Sequence, residues 1–81
     1  MSTDLINKLK TIVADTLEID VDQIIDSLCA KNCPEWDSAR HIAIVMAIED
    51  EFGIEFVDDD FAKMTDFSAL SALVVAKVAS L

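Results

Sequence analysis

Ser38 is followed three residues later by His41, the single histidine of the chain, and one helical turn is a spacing at which an imidazole could take the proton of a hydroxyl nucleophile. A working triad also needs a third group to orient the imidazole and donors to hold an oxyanion, and no pattern around these residues supplies either. Packing or local hydrogen bonding is the role expected of His41, and no catalytic residue is assigned. Cys29 and Cys33, taken with His41, give three metal-ligand types but no fourth, and their spacing fits none of the usual zinc patterns. The spacing leaves a disulfide open, whereas a reducing compartment would leave two inert thiols. Asp58-Asp59-Asp60 suggests calcium, yet the alternating ligands, central glycine and distant glutamate of a calcium loop are missing. These acids read instead as a solvated helix start, and no metal is expected.

The element that must position Ser38 runs from Trp36 to Gly53. Asp37 or Ser38 can cap its first free N–H groups, and Gly53 stands where a left-handed residue ends a helix, about four turns on. At 100° per residue, Ile44, Val45, Ile48 and Phe52 share one face, with His41 on the same side. Ala39, Ile42 and Met46 share another, and Glu49 lies between the two. One apolar face suffices for a core. The second begins one residue from Ser38 and is available to a partner or a bound chain.

The rest of the chain supplies the frame. From Thr3 to Leu17, Leu5, Ile6, Leu9, Ile12, Val13 and Leu17 repeat at helical spacing, with Ser2 or Thr3 as cap. Glu18 to Asp37 reads as a long loop pinned by Ile19, Val21, Ile24, Ile25 and Leu28, with a short turn near Asp22 to Leu28. After an Ile54–Val57 link, Asp58–Lys63 forms a short helix. Thr65 or Asp66 caps a last one, with Phe67, Leu70, Val74, Val78 and Leu81 on its inner face. The expectation is an all-α fold: a small four-helix bundle of three long helices and one short one, with a long loop between the first two, as a single domain over 1–81.

The chain has 81 residues, 53% of them apolar, and a formal charge of −10 from 16 acidic and 6 basic side chains. A domain of this size buries only about 60% of its unfolded surface, so one shared core is the limit. The charge repels nucleic acid and anionic membrane and favours basic protein surfaces. The sequence shows no signal-peptide pattern and no run of the roughly 20 apolar residues that span a bilayer, so a cytoplasmic location is expected; a monomer is expected as well.

Asp37-Ser38-Ala39, the mostly apolar turns from Ile42 to Ile48 and the acidic Glu49-Asp50-Glu51 closing on Phe52 together resemble the central helix of acyl carrier proteins. The resemblance runs from Trp36 to about Leu70. Trp36, His41 and Phe52-Gly53-Ile54-Glu55-Phe56 are similar to stand-alone carriers of polyketide, cell-envelope or other specialised pathways more than to the housekeeping fatty-acid form. It implies a non-enzymatic carrier with 4′-phosphopantetheine on Ser38, loaded by a phosphopantetheinyl transferase and visited by acyl-loading and acyl-processing enzymes with basic docking surfaces. Asp37, Ala39, Ile42, Met46, Glu49 and Asp50 would then form the docking face. Ala39 replaces the family's leucine, and Arg40 stands where many members are acidic or neutral, which bears on which enzymes recognise the serine. Asp26-Ser27-Leu28 matches the three-letter signature more closely, but Pro34 interrupts the segment after it and no long amphipathic helix starts there. An aminoacyl or peptidyl carrier, and a helical adaptor that never modifies Ser38, are the alternatives.

Overall fold

Helices begin where a side chain can take a free backbone N–H, and here two aspartates decide where. The computed structural model describes residues 2–80, excluding the side chains of residues 2, 3, 58 and 62. Among the described residues are four α-helices and no strand: α1 (Ser2–Leu17), α2 (Ser38–Phe52), α3 (Asp58–Lys63) and α4 (Phe67–Ala79). Asp37 accepts the Arg40 N–H at 2.8 Å and Asp66 accepts that of Ala69 at 2.8 Å, so Asp37 and Asp66 are the caps, not Ser38 and Thr65. Gly53 ends α2 at φ 66°, where a Cβ is disfavoured, and its N–H donates to the Glu49 carbonyl at 2.9 Å. The cap expected from Ser2 or Thr3, and Leu81 on the last helix, lie outside the described residues and side chains.

Apolar residues at helical spacing meet in one core. Leu5, Leu9, Val13 and Leu17 of α1 cluster with Ile44, Val45 and Ile48 of α2 and with Phe67, Leu70 and Val74 of α4. Each such side chain contributes about 1.5–3 kcal/mol on leaving water, against which the chain's ordering entropy is set. Phe52 and Val78 pack on the rim of this cluster, on the sides their spacing predicts.

The loop from 18 to 37 contains one 3-10 turn, Val21–Gln23, and is pinned by Ile24, Leu28, Cys33 and Trp36. Val21 and Ile25, expected to pin it, are exposed instead. An aperiodic backbone has no repeating face, so side-chain direction there follows tertiary contacts that spacing does not reveal. Two such contacts are main-chain bonds: the N–H of Phe67 donates to Leu28 at 2.8 Å, and that of Ser68 to Asp26 at 3.0 Å. The otherwise free start of α4 thereby holds the loop.

Arg40 ties the far end of this loop. Its Nη1 donates to the Leu17 carbonyl at 2.9 Å and its Nη2 to Glu18 Oε2 at 3.2 Å, closing the C-terminus of α1 against the start of α2. The acidic run at α3 corrects the expectation of a solvated start. Asp60 is buried, accepts the Val57 N–H at 2.9 Å and pairs with Lys77 Nζ of α4 at 3.0 Å. Asp59 remains exposed. The Val57 hydrogen bond, with Lys77 beside it, holds the Asp60 carboxyl below the usual aspartate range.

Candidate functional site

With Asp37 as cap, Ser38 is the first residue inside a 15-residue helix, and its side chain is exposed. The cap spends its carboxylate on Arg40, and the Asp37 carbonyl takes the His41 N–H at 2.8 Å. Among the described residues, the N–H groups of Ser38 and Ala39 have no protein acceptor. They point donors toward solvent at the positive end of α2, beside a reachable hydroxyl.

The hydrogen bond that His41 accepts comes from Trp36, not from that hydroxyl. Trp36 Nε1 donates to its Nδ1 at 3.0 Å, and no hydrogen bond joins it to Ser38 among the described residues. Its ring lies 6.1 Å from Trp36 at an interplanar angle of 24° and 6.0 Å from the tilted ring of Phe61. Burial lowers its pKa, favouring the neutral form. The expected packing and hydrogen-bonding role of His41 is thus the one observed. A groove of about 460 Å³ opens beside Ser38, walled by Trp36, His41, Ile42, Met64 and Thr65.

Along the outer face of α2, Ala39, Ile42, Met46 and Asp50 are exposed, Ile42 to 52% and Met46 to 63%. Asp37 is exposed at the same end as Ser38. Glu49 is half-buried, and its Oε2 accepts the Phe56 N–H at 2.8 Å, so this carboxylate also fastens the link after Gly53. That tie spans seven residues across a turn and has no signature in linear spacing. Asp60 was more legible, since an acid at the third position of a helix reaches back to the preceding N–H.

The two cysteines are free thiols. Cys33 is buried, with its Sγ 3.5 Å from Glu35 Oε1; desolvation and the neighbouring carboxylate push its pKa up, away from a reactive thiolate. No cluster of metal-ligating side chains occurs among the described residues. Ser27 lies exposed in a turn, its carbonyl taken by Asn32 Nδ2 at 2.9 Å and its neighbours' carbonyls by α4. No helix among the described residues is long and apolar enough to cross a membrane.

No protein-family model matches the chain. The acyl carrier protein of Lactobacillus acidophilus is 34% identical over 61 residues, covering 75% of this chain and 76% of the relative. That of Thermosynechococcus vestitus is 28% identical over 78 residues, covering 96% of each. In the solved holo acyl carrier protein of Geobacter metallireducens, the fold superposes with a TM-score of 0.84 at 23% identity, over 93% of this chain and 86% of that one. The acyl carrier protein of Enterococcus faecalis gives 0.75 at 28% identity, over 95% and 98%. Together with the helix order and the exposed serine at the head of α2, these relatives establish that the chain belongs to the acyl carrier protein family, whose members are non-enzymatic carriers.

Proposed function

We infer that residues 1–81 act as one carrier domain that holds acyl groups through a 4′-phosphopantetheine arm on Ser38 and presents them to the enzymes of a fatty-acid, polyketide or related biosynthetic route. The observation that carries this reading is the position of Ser38: an exposed hydroxyl on the first residue of a long helix, next to two N–H donors that nothing among the described residues accepts. A phosphodiester at Ser38 Oγ fits there, because free helix-start amides and the helix dipole favour an anion. When bound, such an arm supplies a terminal thiol that holds an acyl group as a thioester. The chain's own residues present and steer. Asp37 fixes where the helix starts, Ala39, Ile42 and Met46 offer an apolar contact, and Asp50 with the outer edge of Glu49 offers charge to basic enzyme surfaces.

Ser27 is disfavoured because the segment around it is spent on holding the loop to α4. Intact mass after incubation with coenzyme A and a broad-specificity phosphopantetheinyl transferase tests the assignment. A gain of one phosphopantetheine unit in wild type and Ser27→Ala, absent in Ser38→Ala, is the expected result. No gain with several transferases would sink it and favour an unmodified adaptor. Charging of the modified form by an adenylating enzyme would identify an aminoacyl carrier instead.

A further inference from the structure

On the groove beside Ser38, the His41 ring has one nitrogen bound by Trp36 and one without a protein partner among the described residues. A neutral imidazole has one N–H and one bare nitrogen. Because Trp36 Nε1 can only donate, its bond to Nδ1 makes that the bare nitrogen and places the proton on Nε2. No protein group among the described residues accepts from Nε2. The Trp36 hydrogen bond and the neighbouring rings of Trp36 and Phe61 restrict rotation of the imidazole. His41 lines the groove that also contains Ser38, together with Trp36, Ile42, Met64 and Thr65.

A neutral ring donor among the apolar surfaces of Trp36, Ile42 and Met64, with the Thr65 hydroxyl on the same wall, suits a carbonyl oxygen on an otherwise apolar chain. It does not suit a carboxylate or phosphate, which would favour a cation. We propose that His41 is a specificity-determining residue whose Nε2–H donates to a carbonyl oxygen tethered at Ser38. That oxygen belongs either to an amide of the arm or to the acyl group it bears. In the first case His41 parks the arm along the groove. In the second it favours an oxygenated acyl group over a saturated one. The proposal rests on Ser38 being the attachment site.

The chain has one histidine and one tryptophan, and both face this groove, so each gives an unambiguous signal. Nitrogen-labelled imidazole spectra at neutral pH are compared for the apo protein, the holo protein, and forms loaded with a saturated acyl group or its β-oxo counterpart. Intact mass reports completeness at each step. The apo spectrum is expected to show the Nε2–H tautomer. At one step the Nε2–H proton should move downfield and exchange with water about fivefold more slowly, the protection expected of one net hydrogen bond. A change on going from apo to holo assigns the arm. A change only between the saturated and β-oxo forms assigns the acyl group.

Trp36 emission should shift at the same step in wild type and in His41→Gln, which keeps a donor and an acceptor, and stay constant in His41→Phe. Should His41→Phe fail to fold by circular dichroism, the wild-type series decides alone. Complete modification with His41 and Trp36 signals unchanged at every step would overturn the role of His41 and leave Ser38 as the attachment site. An Nδ1–H tautomer in the apo protein would overturn it too. Absence of any mass gain overturns both readings.

Discussion

Trp36 is almost wholly buried and can only donate through its indole N–H, so its partner determines whether that burial is tolerated. His41→Phe keeps an aromatic ring but removes the acceptor, and should cost about 1–3 kcal/mol in urea unfolding because the indole N–H is left unsatisfied. Pairing it with Trp36→Phe should recover part of that loss, and the double-mutant cycle measures how much. Protonation of His41 removes the same acceptor. Burial lowers the imidazole pKa in the folded protein from 6.5, so near that pH the unfolded chain binds the proton more readily and stability rises with pH. The contribution is complete above about pH 6.5 and declines as pH falls below it until the folded imidazole also protonates. Unfolding free energies at about pH 7.5 and about pH 5.5 should differ in wild type, and less so in His41→Gln.

Between elements, three single residues fix how helices meet. Gly53 sits at φ 66° with open space where a Cβ would be, so Gly53→Ala should destabilise through backbone strain alone, by about 1–2 kcal/mol in a thermal or urea melt. Arg40→Met would release the carbonyl of Leu17 and the exposed carboxylate of Glu18 together. A loss of about 1 kcal/mol is expected, mostly from the carbonyl, since exposed ion pairs contribute little. Asp60 joins α3 to α4 through Lys77, which also lies 5.6 Å from the centre of the Phe56 ring. Its carboxyl is held below 3.8, so the stability it confers is present above that pH and is lost as pH falls through the depressed value. Acid unfolding of Asp60→Asn should therefore show a shallower dependence at low pH than wild type, with α3 the first element to lose hydrogen-exchange protection.

At the scale of the molecule, a charge of −10 on 81 residues makes encounters with basic enzymes fast at low salt and slower as screening grows. Raising salt from about 0.05 M to about 0.5 M should slow modification of Ser38 by an order of magnitude if charge steers the transferase. Ile42→Ser and Met46→Ser should leave stability within about 0.5 kcal/mol, because both side chains already face water, while weakening transfer to partner enzymes. Charge reversal at Asp50 should act likewise. At Glu49 the same reversal also removes the acceptor for the Phe56 N–H, so its effect on transfer is interpretable only beside a stability measurement.

Residue types and their spacing were enough to specify the helices, the inner faces of α1, α2 and α4, the stop of α2, and the placement of Ser38 at its head, while the choice of Asp37 over Ser38 as cap came from the structure. These features arise from interactions within a few residues, which a linear pattern expresses directly. Outward-facing Ile42, Met46 and Asp50 were equally legible, since a helix wheel needs no tertiary partner. It took the folded chain to show that Cys33 and Trp36, not Val21 and Ile25, anchor the loop. Folding also placed Arg40 on the end of α1, Asp60 under Lys77, and Trp36 as donor to His41. Apart from the local reach of Asp60 to Val57, these pairings depend on how the backbone brings distant or aperiodic segments together. A loop without a repeating face carries no sign of which side chains will turn inward until the helices on either side supply the surface it packs against.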